Sequence, residues 1–145
     1  MSVSIQHITS LMPQYRHVWQ LREEVLRRPL GMSLLNEDLS RDHADDILMA
    51  QEDDKVIGCL LLHHINNTEM QLRAMAVRSE WQRMGIGRKL VQEAEQFCRA
   101  KGYKKIVLHA RKVAMGFYTR LGYTAFGEEF TEVGIPHFMM EKRVA

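Results

Sequence analysis

The sequence predicts a mixed α/β (α+β) fold: a mostly antiparallel sheet of six to seven strands flanked by about four helices. Three observations carry that prediction. Residues 47–77 contain three strand-like runs separated by short polar turns, the pattern of an antiparallel meander. The last of these runs leads through Gln82-Arg83-Met84-Gly85-Ile86-Gly87 into a helical repeat, so a strand, a tight loop and a helix follow one another. A further strand then comes after the helix, and a strand reached through a helical crossover lies parallel to its predecessor.

Taken in order, Val3–Ile8 reads as an opening strand. Ser10 is placed to cap a helix with Pro13 near its first turn, and Tyr15, Val18, Trp19, Arg22, Val25 and Leu26 follow a helical period until Pro29 and Gly31 stop it. The polar stretch from Leu30 to Asp46 is expected to hold a short helix near Asn36–Leu39 and a loop from Arg41. Ile47–Gln51, Val56–Ile65 and Glu69–Val77 are the meander, with turns at Glu52–Lys55 and Asn66-Asn67. In the next helix Ile86, Leu90, Ala94 and Phe97 recur at helical spacing, widened by Val91 and Cys98, and Gly102 is its expected C-cap. Ile106–Ala110 is the crossover strand, Val113–Leu121 a helix ended by Gly122. Thr124–Thr131 and His137–Arg143 form a closing hairpin around Gly134-Ile135-Pro136.

A chain of 145 residues is expected to be one domain, long enough to bury a core. A net charge of +2 is too small to argue for a nucleic-acid partner. No apolar run approaches membrane-spanning length and no signal peptide is visible, which points to a cytoplasmic protein without a membrane partner. Cys59 and Cys98 lie in apolar periodic segments and read as buried thiols in a reducing compartment. The ten methionines read mostly as core filler, with a few lining an adaptable pocket. No His/Cys spacing resembles a metal site.

The chemistry is concentrated at the Gly-rich loop. A helix N-terminus presents unpaired N–H groups and the positive end of the helix dipole, which suits a phosphate. Gly85 and Gly87 lack a Cβ and let an anion approach the backbone, and Arg83, Arg88 and Lys89 add positive charge. The dinucleotide fingerprint would need a third Gly where Leu90 stands, and no Walker A run exists. From the Gly pair alone, an ordinary strand-to-helix turn fits as well as an anion site.

Two motifs together resemble the GNAT superfamily of N-acetyltransferases. Gln82, Gly85 and Gly87 match its Gln/Arg-x-x-Gly-x-Gly/Ala acyl-CoA loop. Ala114-Met115-Gly116-Phe117-Tyr118-Thr119-Arg120-Leu121-Gly122-Tyr123 looks like its Ala-x-x-Phe-Tyr-x-x-x-Gly-Phe/Tyr segment. The tail from Glu132 to Met140 resembles the ElaA-like or YjcF-like branch. The resemblance implies a GNAT fold, acetyl-CoA as cosubstrate and acetyl transfer to a primary amine of a small molecule or peptide by direct attack in a ternary complex. It implies CoA contacts along Met75, Ala76 and Val77, through Gln82, Arg83, Met84, Gly85, Ile86, Gly87 and Arg88, and at Ala114, Phe117 and Tyr118. In this family the strand ending at Val77 is bulged, and a backbone N–H near Met75–Val77 would stabilise the oxyanion. Tyr118 takes the general-acid position. Arg88, Lys89 or Lys112 would meet the 3′-phosphate.

Two positions depart from the family. Arg111 stands where an Asn is often found. Gln71 stands where many relatives carry the Glu that serves as base. Glu69 and His137 are the remaining candidates for the base, with His109 and the His63-His64 pair behind them; alternation sends His63 and His64 to opposite faces. Arg22 and Arg73 would bind an acidic acceptor group or pair with local acids. The alternative reading is a catalytically inactive acyl-CoA-binding sensor or interaction module. Exposed strand edges allow a homodimer.

Overall fold

A computed structural model describes residues 2–145. Its elements run β1 (Val3–Ile8), α1 (Tyr15–Arg22), β2 (Asp46–Glu52), β3 (Lys55–His64), β4 (Glu69–Val77), α2 (Ile86–Ala100), β5 (Lys105–Arg111), α3 (Met115–Arg120), β6 (Thr124–Glu132) and β7 (Ile135–Arg143), with single turns of 3-10 or π helix between them. The strands form one seven-stranded sheet in the order β1-β2-β3-β4-β5-β7-β6. β4 and β5 are parallel over Glu69–Leu72 and Lys105–Leu108, as the intervening helix requires, while β1–β2, β2–β3, β5–β7 and β6–β7 are antiparallel. The residues group into two compact units, one made of the chain through His63 with Arg73–Ala94, the other of His64–Leu72 with Glu95–Ala145.

The first unit packs α1 on β1–β3 through Ile8, Val18, Leu21, Ile47, Met49, Val56, Cys59, Leu61 and Ala76, all nearly or fully buried. Each large aliphatic side chain so removed from water contributes about 1.5–3 kcal/mol. The start of α2 sits very close to β3: a Cβ on Gly58 would lie 3.1 Å from Leu90 Cδ1 and 3.2 Å from Ile86 Cγ2. The predicted stripe on α2 is observed at Ile86, Leu90, Val91, Ala94 and Cys98, whereas Phe97 is half-buried. In the second unit β5 contributes Ile106, Leu108 and Ala110, joined by Met70, Tyr118, Tyr123 and Met140. Both cysteines are buried thiols outside any disulfide.

Four expectations are corrected. Among the described residues three α-helices form rather than about four. The short helix expected at Asn36–Leu39 is replaced by 3-10 turns at Leu34–Asn36 and Ser40–Ala44, the latter within the stretch expected to be loop. Glu23 accepts from the Leu34 N–H at 2.8 Å and pins the entry to this stretch, so short polar anchors set its path rather than helical propensity. Ser10 does not cap α1. Gln14 is the N-cap, without a side-chain bond, and Ser10 Oγ lies 3.2 Å from His43 Nδ1. The first helix tightens and widens near its end, through a π turn at Glu23–Arg27 and a 3-10 turn at Arg28–Leu30, before Gly31 ends it at φ +70°. The closing hairpin turns at Val133-Gly134, with φ +47° and +78°, while Ile135 and Pro136 already pair with Glu132 and Thr131. A two-residue loop with both φ values positive matches the twist of the flanking strands, and that geometry overrides the turn preference of Pro.

Candidate active site

In the first unit, β4 departs from regular strand geometry at Ala74, whose φ is +53°. Cys59 on the neighbouring β3 donates its thiol to the Ala74 carbonyl at 3.5 Å, so the irregularity is tied to the core. Met75, Ala76 and Val77 follow, and β4 ends where the Arg78 N–H donates to the Ile57 carbonyl at 2.9 Å. Arg78 also donates through Nε to the Val56 carbonyl and pairs with Glu24 at 2.6 Å. A 3-10 turn at Ser79–Trp81 then leads into the loop.

Gln82 folds the loop back on the strand, donating from Nε2 to the Val77 carbonyl at 3.0 Å. Arg83 and Gly85 adopt left-handed backbone, φ +65° and +83°, the kind of turn conformation from which anion-binding concavities are built. A Cβ on Gly85 would meet no atom within 4 Å, so its freedom serves backbone conformation and open space rather than internal packing. Ile86 is buried and anchors the first turn of α2, which contains no acidic residue. Met84 is 55% exposed, and Arg83, Arg88 and Lys89 are exposed beside it. Open approach, oriented N–H groups and uncompensated positive charge suit a phosphate.

In the second unit, Ala114 precedes α3, which carries Phe117 and Tyr118. Tyr118 is 8% exposed, its ring 5.0 Å from Phe117 and 5.8 Å from Tyr123, both edge-on. Burial pushes its phenol well above the usual tyrosine range, so it holds its proton throughout the neutral pH range. Gly122 at φ +96° ends the helix, and Tyr123 N–H closes the cap on the Tyr118 carbonyl at 3.0 Å. The Tyr123 hydroxyl donates to Glu95 at 3.0 Å, and Lys142 reaches both Glu95 (2.9 Å) and the Leu121 carbonyl (2.8 Å). The Gly-Tyr end of the motif is therefore an anchor that fixes α3.

The end of the β6–β7 hairpin holds a second polar group in this unit. Glu132 places Oε1 2.9 Å from His109 Nδ1 and Oε2 3.6 Å from His137 Nε2. His137 Nδ1 lies 3.0 Å from the Ile135 carbonyl, which can only accept, so Nδ1 carries the proton in the neutral ring and Nε2 is left basic. The Phe130 ring packs against both imidazoles, at 5.3 and 5.8 Å.

The other candidates fall into place around these groups. Glu69 starts β4, receives Asn66 Nδ2 at 3.1 Å and lies 3.6 Å from Lys105 Nζ. The Asn66 hydrogen bond, aided by Lys105, holds its carboxyl below the usual range, favouring a charged turn residue. Gln71 lies opposite Val107. His63 bonds Asp45 at 2.7 Å, while His64 bonds the Tyr103 hydroxyl. Lys112 pairs with Glu129 at 3.1 Å, and Arg111 lies in register with His137. Arg22 and Arg73 are engaged by acids: Arg22 bonds Asp42 at 2.7 Å, and Arg73 bonds Asp45 at 2.8 Å and also Asp42. Sequence reasoning missed Asp42, Asp45 and Glu132. Of these only Glu132 had a local signal, its place directly before the Val133-Gly134 turn.

Comparison with known proteins follows the same lines. The model of the Acetyltransferase (GNAT) family matches residues 8–123, a span containing both the Gly loop and the Tyr118 motif. YyaT, an uncharacterised protein of Bacillus subtilis, is 33% identical over 75 residues, 52% of this chain and 51% of that protein. The chain spans about half to two thirds of the length of the curated relatives it matches. Among solved structures, Escherichia coli ElaA superposes with a TM-score of 0.86 at 17% identity, over 97% of this chain and 99% of that one. A GNAT family acetyltransferase of Elizabethkingia anophelis with acetyl-CoA bound gives 0.72 at 18% identity, over 97% of each chain. At these identities the structural likeness is one of fold. No helix among the described residues is long and apolar enough to cross a membrane.

Proposed function

The chain belongs to the GNAT acetyltransferase family, and on that premise we propose that it is an N-acetyltransferase that moves an acetyl group from acetyl-CoA to a primary amine of a small molecule or peptide, by direct attack in a ternary complex. The observation that carries the reading is the loop from Gln82 to Arg88, where left-handed backbone, open space at Gly85 and exposed cations meet at the start of a 15-residue helix. Its N–H groups would hold the pyrophosphate of CoA, with Arg88 and Lys89 free to reach further phosphate. The backbone of Met75–Val77 would take the pantetheine arm as an added strand and offer an N–H to the carbonyl oxygen as charge develops there.

Acetyl transfer needs a neutral amine, and an alkylammonium ion has a pKa of roughly 10.4. A base must therefore remove a proton before the nitrogen attacks the thioester carbonyl. Once the C–S bond breaks, the thiolate needs a proton, and Tyr118 is the donor: its buried phenol is protonated at neutral pH. Of the two base candidates, Glu69 is held as a charged carboxylate by Asn66 and Lys105. His137 has its Nδ1 proton fixed on a carbonyl and Nε2 available, which favours it as the proton acceptor.

Calorimetric titration with acetyl-CoA, using NAD and ATP as controls, tests the reading. Micromolar or tighter binding of acetyl-CoA alone supports it. Binding of NAD or ATP instead, or of none of them, overturns it. Tyr118→Phe is expected to lower turnover about 100-fold while leaving acetyl-CoA affinity unchanged. Full loss of the hydroxyl without effect on rate would remove Tyr118 from the mechanism. If acetyl-CoA binds and a broad amine screen shows no turnover, the inactive acyl-CoA sensor becomes the better reading, in line with Gln71 at the family's Glu position.

A further inference from the structure

We infer that Glu132 is the group that meets the acceptor amine, and that His137 is the buried relay that takes the proton from behind it. The inference rests on the acetyl-transfer reading above and supplies the base that Gln71 cannot be. Its starting point is an accessibility mismatch. The His137 side chain is only 4% exposed, whereas the Glu132 side chain is 45% exposed and stands directly before it. An amine arriving from solvent at this end of the hairpin meets the carboxylate first.

Glu132 is built for that position. His109 grips Oε1 at 2.9 Å, which fixes the carboxylate and leaves Oε2 between solvent and His137 Nε2 at 3.6 Å. The Val133-Gly134 turn, left-handed at both residues, holds Glu132 opposite Ile135, whose carbonyl orients the His137 ring. The Phe130 ring packs against each imidazole, edge-on to His109 and tilted to His137. The remaining charges nearby are Arg111, in register with His137, and the Lys112–Glu129 pair.

The transfer balances simply. The ammonium N–H bond breaks and its proton passes to Glu132 Oε2. The same proton moves on to His137 Nε2 once the 3.6 Å separation closes to hydrogen-bond distance in the loaded site, while Nδ1–H stays on the Ile135 carbonyl. The amine keeps the electron pair and attacks the thioester carbonyl; as the C–S bond breaks, the nitrogen gives up its second proton, which replaces the one Tyr118 passes to the thiolate, and the imidazolium returns the first proton to water through Glu132. A free carboxylate lies roughly six pKa units below an alkylammonium ion and an imidazole only about four, so ending the proton on His137 makes the step less uphill. The ligand class is a primary alkylammonium group, which a carboxylate recognises by charge-assisted hydrogen bonds.

The test uses n-butylamine as probe and the imidazole ¹H–¹⁵N spectrum of the full-length chain at pH 7.5. In the free protein the His137 ring is expected to carry its proton on Nδ1. Adding n-butylamine should shift the His109 and His137 ring signals while the His137 proton stays on Nδ1, because the transfer to Nε2 is about four pKa units uphill at rest. Glu132→Gln, a change at a half-exposed position, should weaken that response at least tenfold while leaving the rest of the spectrum and acetyl-CoA affinity within twofold. A His137 ring protonated on Nε2 in its neutral form, no ring response to n-butylamine, or an unchanged response in Glu132→Gln would each overturn the inference. Failure of the acetyl-transfer reading appears separately, as no acetyl-CoA binding by the unaltered protein, because the ring response is read without acetyl-CoA.

Discussion

Asp42 in the first unit and Glu132 in the second are both carboxylates held by several side chains, yet they sit in opposite surroundings. Asp42 is fully buried and is enclosed by Arg22, Arg73 and the Tyr15 hydroxyl, while its neighbour Asp45 is shared by Arg73 and His63. Glu132 is gripped by imidazoles on one side and faces water on the other. A closed network of matched charges has every acceptor occupied and is a structural clamp. A half-open carboxylate keeps acceptor capacity for a ligand. Burial thus closes one carboxylate and leaves the other open to a ligand.

The largest expected effect separates the two. Asp42→Ala leaves Arg22 buried without its counter-charge, where Nε already lacks an acceptor, and should cost about 3–5 kcal/mol in urea unfolding. Glu132→Gln should cost less than about 1 kcal/mol in the same measurement, because its own side chain is 45% exposed. Equal losses would erase the distinction.

Loop chemistry gives the next effect. Gly85→Val forces a branched side chain into left-handed backbone and into the space left for the phosphate, and should weaken acetyl-CoA binding at least tenfold, about 1.4 kcal/mol or more, in calorimetry.

The pH dependence sharpens the contrast further. Burial by itself would raise the Asp42 carboxyl, but Arg22, Tyr15 and Arg73 outweigh it and hold it below the usual range. Its stabilisation is therefore complete above the unfolded value of about 3.9 and is lost as pH falls through the lower folded value. Burial and the hydrogen bond to Asp42 push the Tyr15 phenol up to about 12. Its contribution is present below about pH 10 and lost as pH rises toward 12. Thermal unfolding of Tyr15→Phe should show a shallower decline above pH 10 than the unaltered protein, and an identical decline would show that Tyr15 is not coupled to the network. The smallest effect is local: Gly134→Ala at φ +78° should cost about 1 kcal/mol, read as a drop in melting temperature.

Much of the fold was legible because its signals are local. The strand boundaries at Val3–Ile8 and Glu69–Val77, the stripe on α2 and the Gly102 cap follow from period, β-propensity and backbone freedom over a few residues. The stretch from Leu30 to Asp46 was not legible. Its shape depends on Glu23 meeting Ser33 and Leu34, on Arg27 meeting Glu37, and on Asp42 meeting Arg22 and Arg73. Those partners are 10 to 31 residues apart, beyond any periodic pattern.

By itself the sequence determined the alternation of elements, the Gly-rich loop between β4 and α2, and the aromatic motif around Tyr118. Each is written in contiguous residues whose conformational preferences do not need the rest of the chain. The tertiary structure alone decided that Arg22 and Arg73 are committed to acids, that Glu69 is a turn residue paired with Lys105, and that Glu132 stands between His109 and His137. Strand register and the packing of α1 bring those side chains together across separations of up to 36 residues, and burial then fixes whether each carboxylate is enclosed or left open to a ligand.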